Sequence, residues 1–327
     1  MSIVLLKNLC FVVFLGACAS SSRNSKPTDN NNEVDTNSSI QFPITSDQQP
    51  KSLMNLPQSQ DGGFVLSPGF YEAEFKTYCL QPGTPDPSQG DAYLQGPVTG
   101  YRKDIIESVL LNSREKPELE QRNIQLLLWS VVSGSDFNKL SQPVQTDAMK
   151  LLTPKQVFAL KGGVPGLIKT VANSSKVFNS NNSMQRLFEK GITSYESFER
   201  LAVLKEPSQI KRKDVKYDQW YKQKENYYVR YFPVSYKKVR VQVYVPGDLL
   251  DTDGKVNGEH VVFDPTGQQA IPAFTNAQRL GIGAPVLDMI RVIIIQVNKR
   301  TDYPKKVPEK KNTKTPSVVA GLFPDKH

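Results

Sequence analysis

The chain has 327 residues, and its 41 lysines and arginines against 32 aspartates and glutamates give a net charge of +9. Two histidines and three cysteines are too few for a zinc site of the usual kind, which needs several such ligands. Net basicity in a chain of this length first suggests an acidic partner, and the N-terminus decides which kind.

Residues 3–17 are almost wholly apolar, with the basic Lys7 among them, and no acidic residue occurs before position 29. A bilayer span needs ~20 apolar residues, so this run is too short to cross and reads instead as a secretory leader. It ends in Leu15, Gly16, Ala17 and Cys18. Those four positions resemble the lipobox of bacterial lipoproteins. The resemblance implies cleavage before Cys18 and a covalent lipid on that residue, the only cofactor expected. Several acyl chains on one residue make anchoring stable where one is marginal. Ala19 follows the cysteine with no aspartate at 19 or 20, which in similar Gram-negative lipoproteins implies the outer membrane, on its periplasmic face or at the cell surface. The chain also has a general likeness to uncharacterised Gram-negative lipoproteins. Export makes nucleic acid an unsuitable partner. The expected partners are the membrane itself, through the anchor, and an acidic envelope polymer or an envelope protein.

Residues 19–62 are dominated by Ser, Asn, Asp, Gln, Pro and Thr. So few apolar side chains cannot offset the entropy of ordering the backbone, and a flexible tether is expected over 18–63. Globular composition returns at Phe64. Tyr71, Ala73, Phe75 and Thr77 alternate with Glu72, Glu74, Lys76 and Tyr78, which predicts a strand ending at Cys79. Helices are expected through residues 103–205: Ile105, Ile106, Val109 and Leu110 recur at helical spacing, and a second apolar face runs to a C-cap at Gly134. Pro143 and Pro154 each follow a polar residue as helix starts do, and Thr193 with Glu196 has the spacing of a capping box.

Beyond a basic connector the period changes to two. Val239, Val241, Val243 and Val245 share one face of an expected half-buried strand, and 291–297 reads as a later strand buried on both faces. The expected class is therefore α+β: a helical segment and then a β-rich C-terminal part, after the N-terminal tether. The expected division is a leader at 1–17, the tether at 18–63, a mainly helical domain with N-terminal strands at 64–205, a β-rich region at 206–300 and a basic disordered tail at 301–327. Trp220, Tyr221, Tyr227, Tyr228 and Tyr231 lie among lysines, a composition that fits either a recognition surface or plain strand packing.

Catalytic constellations are missing. His260 has no Gly-x-Ser-x-Gly turn to serve, no Gly-rich phosphate loop occurs, and the acidic residues of 251–259 do not fit a calcium loop. With the leader removed and Cys18 lipidated, Cys79 is the one free thiol. It stands in Tyr78, Cys79, Leu80, and further on Ile124, Gln125, Leu126, Leu127, Leu128, Trp129 form part of a helix. The pair is similar to the bacterial thioester domains of surface adhesins, in which a Tyr-Cys strand end and a Thr-Gln-x-Ala-Ile-Trp helix form an internal Cys–Gln thioester. Tyr78, Cys79, Gln125 and Trp129 match. Ile124 stands in place of the threonine, Leu127 in place of the alanine, and the separation is shorter. The resemblance implies a stored acyl group that a partner's amine captures. The plainer readings are a buried thiol that packs as a small hydrophobe, or an intermolecular disulfide. The leading expectation is a non-enzymatic, membrane-anchored envelope lipoprotein with a structural or non-covalent binding role; covalent adhesion through Cys79 and Gln125 is the alternative.

Overall fold

The structure is a computed structural model that describes residues 48–286, apart from 89–90, 163–174, 210–219, 224–226, 248–254, 257–258 and 274, together with the strand at 39–40. The leader, Cys18, the expected strand at 291–297 and the basic tail lie outside the described residues.

Three short strands come first: β1 (Ser39–Ile40), β2 (Lys51–Ser52) and β3 (Phe64–Leu66). The long β4 (Gly69–Cys79) follows, then β5 (Thr84–Pro85) and β6 (Tyr93–Pro97). Helices α1 (Lys103–Asn112), α2 (Gln121–Ser133), α3 (Gln142–Leu151), α4 (Pro154–Leu160), α5 (Ser175–Glu189) and α6 (Tyr195–Ala202) fill the centre of the chain. The C-terminal part is β7 (Val203–Leu204), β8 (Trp220–Lys222), β9 (Tyr228–Ser235), β10 (Lys238–Val245), β11 (Lys255–Val256), β12 (Glu259–Phe263), β13 (Gln268–Pro272) and β14 (Leu280–Pro285). The class is α+β, with the helices ahead of a β-rich C-terminal part.

The alternation around Phe75 produces β4, which becomes the spine of the main sheet. That sheet runs β1-β8-β9-β10-β4-β14-β13-β6, with β2 added parallel to β4. On one side β10 pairs antiparallel along the strand, from Lys238 opposite Lys76 to Val245 opposite Gly69. On the other, Leu280 of β14 lies opposite Cys79. Strands from both halves of the sequence thus interleave in one sheet.

The valine face of β10 is buried, each of its four valines at 2 % exposure or less, and each contributes roughly 1.5–3 kcal/mol by leaving water. Phe75 meets Phe64 and Phe263 edge-on, with ring centroids 6.3 and 6.5 Å away, and so joins the main sheet to the three-stranded sheet of β11, β12 and β3. α1 and α2 close over the Cys79 end of β4. Glycine permits the close packing: a Cβ at Gly281 of β14 would lie 3.0 Å from Cδ1 of Leu110 on α1, and one at Gly283 2.7 Å from Cε2 of Tyr78 on β4.

Local signals and structure part in three places. Residues 48–63, assigned to the tether by composition, belong to the body, because Leu53 and Met54 insert into the core. The Thr193–Glu196 capping box does not form: α6 takes Ser194 as its N-cap, and the Ser194 hydroxyl donates to Glu196. Trp220, Tyr221, Tyr227 and Tyr231 are buried, so packing rather than recognition accounts for them. On the outer face of the sheet, Lys238 pairs with Glu74 at 2.9 Å and Arg240 with Glu72 at 2.8 Å.

Candidate functional site: a buried Cys–Gln pair

Gln121, Gln125 and Trp129 recur every four residues along α2 and therefore occupy one stripe of the helix. All three serve the C-terminal end of β4. The Gln121 amide donates to the carbonyls of Thr77 (3.1 Å) and Lys237 (2.8 Å). The Gln125 carboxamide clasps the main chain of Cys79: the Cys79 N–H donates to Oε1 at 2.8 Å, and Nε2 donates to the Cys79 carbonyl at 3.0 Å. Two residues 46 positions apart are thereby held together, with Cys79 at 0 % and Gln125 at 1 % exposure. Gly134, at φ 72°, ends the helix where the sequence places its C-cap.

Burial dominates the electrostatics. Desolvation pushes the Cys79 thiol up to about 12, against small opposing effects from Trp129 and from the main chain at Gln81, and Asp86 adds to the rise. The Trp129 indole Nε1 is buried without an oxygen or nitrogen partner, yet is close enough to the thiol to oppose that rise. Desolvation also raises Tyr78, with Ser113 near enough to its hydroxyl to counter it. At neutral pH the sulfur is therefore a neutral thiol, a poor ligand or redox centre but a stable occupant of a dry site.

Above Trp129 lies an aromatic layer. Its ring faces Tyr195 at 5.4 Å and Tyr236 at 6.4 Å, each tilted by 32°. The two tyrosine hydroxyls are 2.7 Å apart, and Tyr236 donates to Glu199. Glu199 also holds the Lys237 ammonium at 2.9 Å, while Asp86 accepts the Tyr236 N–H at 2.9 Å. Burial raises Asp86, partly offset by that N–H and by Lys237. Burial also acts to raise Glu199, but Tyr236 and Lys237 outweigh it and leave the carboxyl below its ordinary value.

The structure thus brings together Cys79, Gln125 and Trp129, three of the residues that carry the resemblance to thioester domains, with the fourth, Tyr78, beside them in β4. Five residues escaped the sequence reading: Asp86, Tyr195, Glu199, Tyr236 and Lys237. Their local signals are slight, an i, i+4 pair on α6 and a two-residue hairpin turn between β9 and β10. Among the described residues no group of His, Cys, Asp and Glu is arranged to hold a metal ion, and His260 lies on β12.

Chemically, the site holds the Gln125 carboxamide against the main chain of Cys79 in a place closed to water, with the Cys79 N–H directed at the carboxamide oxygen. Neither family models, nor curated protein sequences, nor solved structures give a match to this chain.

Proposed function

We propose that the protein is a membrane-anchored envelope lipoprotein whose folded body forms an internal thioester between Cys79 and Gln125 and uses it to capture an amine of a binding partner. The observation that carries this reading is the paired hydrogen bonding of the Gln125 carboxamide to the main chain of Cys79. The thiol adds to Cδ of Gln125, and negative charge developing on Oε1 falls on the oxygen that the Cys79 N–H already serves. The C–S bond forms, the C–N bond breaks, and the thiol proton leaves on nitrogen as ammonia. Burial keeps water from the product.

Capture is a single event without turnover. A partner's amine replaces sulfur at Cδ, an amide remains, and Cys79 returns to the thiol. The leading expectation from sequence, non-covalent binding through the basic and aromatic C-terminal region, has less support, because four of those five aromatics are buried and Lys238 and Arg240 are ion-paired. The lipid on Cys18, the outer-membrane location and an envelope polymer or protein as partner belong to the same proposal and rest on the leader sequence.

Intact mass and thiol titration of the purified full-length protein test it. A mass short by one ammonia, no titratable Cys79, and after methylamine a gain of one methylamine in mass with return of the Cys79 thiol are expected, whereas Cys79→Ala should keep its full mass and gain nothing from methylamine. Full mass together with a thiol that reacts only on unfolding would leave Cys79 a packing residue.

A further inference from the structure

Helix α4 sends one large apolar side chain away from the core. The phase of the helix is well fixed. Thr153 and Gln156 cap one another at its N-terminus, with Pro154 in the first turn. The Gln156 amide also donates to the Asp104 carbonyl at 3.1 Å and to Ser108 Oγ at 2.7 Å, which pins α4 to α1. Val157 and Leu160 enter the core. At 3.6 residues per turn Phe158 then faces away from both attachments. At 72 % exposure it is the most exposed large apolar side chain among the described residues.

The charge around that ring has one sign. Lys155 and Lys161 stand three positions before and after Phe158, both exposed, and so flank it on the same face. No acidic residue occurs between Asp147 and Glu189, a stretch that holds six lysines and arginines. Asp147 itself is engaged by Asn123 at 2.8 Å and by Lys150 at 3.6 Å. Asp104 of α1 meets α4 on the Gln156 side, across the helix from Phe158. An aromatic ring between two long basic side chains suits an anionic bilayer. The ring enters the boundary of headgroup and acyl chain, and the lysines lay their stems along it with their ammoniums at the phosphates.

We propose that this face of α4, Phe158 between Lys155 and Lys161, is a second membrane contact, made with an anionic phospholipid surface, that orients the body of the anchored protein. The inference rests on the lipid anchor proposed above and is independent of the thioester. One ring and two lysines are a weak membrane signal for a protein free in solution. A lipid on Cys18 changes that, because at most ~70 Å of fully extended chain separates Cys18 from Ser39. The contact becomes intramolecular in effect, and a weak affinity suffices to populate it.

The test uses the full-length protein expressed with its leader, with intact mass to read the lipid on Cys18. It is reconstituted in vesicles of phosphatidylethanolamine and phosphatidylglycerol whose acyl chains carry bromine near the headgroup. Phe158→Trp places an indole on the face, and the unsubstituted protein gives the background from Trp129 and Trp220, which are buried. Strong quenching of the new indole is expected, weaker in high salt and in brominated phosphatidylcholine alone. Adding Lys155→Gln and Lys161→Gln should lower the insertion constant on the order of thirtyfold, the attraction of two lysines at an anionic surface. Melting temperature is the control for folding. A protein lipidated at Cys18 whose new indole is not quenched, whether it is wet or covered by a second copy, overturns the inference and leaves the anchor standing. A mass without lipid on Cys18 overturns the anchor reading, and the inference with it.

Discussion

The outer face of β4 and its C-terminal end handle polar groups in opposite ways. On the outer face, Glu72 and Glu74 meet Arg240 and Lys238 across the strand pair, with side chains 28–39 % exposed. At the end, Cys79 and Gln125 are uncharged, dry and satisfied by each other's polar atoms. Water screens the first set and weakens each pair, so those residues can change with little consequence. Nothing screens the second, and each of its hydrogen bonds must be made by a specific atom. A polar side chain kept in so dry a place is expensive to lose, which makes Gln125 the residue against which the rest of the site is measured.

The largest effect is expected from Gln125→Ala, which strands both the N–H and the carbonyl of Cys79 in the core. Loss of about 3 kcal/mol is expected from urea unfolding, the cost of two buried groups left without partners. Wild-type stability in this variant would remove the distinction between the two regions. Gly283→Ala comes next: the added Cβ would fall against Tyr78, and about 2 kcal/mol of overpacking is expected in the same measurement.

Alkaline pH sharpens the contrast further. The Cys79 thiol rises from an ordinary 9.0 to about 12 on folding, so between those values the folded state holds a proton that the unfolded state has lost. Stability from this group is complete below pH 9 and declines as pH climbs toward 12, by at most about 1.4 kcal/mol per pH unit. While above pH 10 buried tyrosines such as Tyr78 and Tyr195, also raised on folding, continue the decline, between pH 9 and 10 it should vanish in Cys79→Ala. It should also be missing from a thioester-bearing protein and return after methylamine, since a thioester has no thiol to titrate. Thermal melts between pH 8 and 10.5 read all three cases. The smallest effect belongs to Glu72→Gln with Arg240→Gln on the outer face, about 0.5 kcal/mol and weaker in high salt. A double-mutant coupling well above that value would place the outer face on a par with the dry end.

Much of this site was legible because it obeys short-range rules. Strand alternation carried β4 to Cys79, four-residue spacing placed Gln125 and Trp129 on one stripe, and Gly134 ended the helix. The aromatic layer was not legible. Asp86, Tyr195, Glu199, Tyr236 and Lys237 come from a loop after β5, from α6 and from a hairpin turn, and only the crossing of α2 over β4 and β10 brings them together. β14 escaped for a different reason: its Leu-Gly-Ile-Gly-Ala-Pro sequence lacks the β-branched alternation that marks a strand, because glycines are needed there for Leu110 and Tyr78 to approach. Leu53 and Met54 were hidden by the polar composition around them, since an average over forty residues conceals two anchors. The buried aromatics of β8 and β9 were open to reading as a surface because lysines flank them in sequence, whereas a strand sends neighbours to opposite sides.

Bonding along both edges of β4 bears on mechanical load. If Gln125 is joined to a partner and the N-terminus to a membrane, tension passes through β1, β2 and β3 before it reaches the Gly69 end of β4, and leaves through α2. The eight residue pairs between β4 and β10 and the pairing with β14 then lie along the direction of pull. They are strained together in shear rather than opened one after another from an end. A strand clamped in this way gives up its contacts collectively, so the join to Gln125 would hold under forces that peel a hairpin apart.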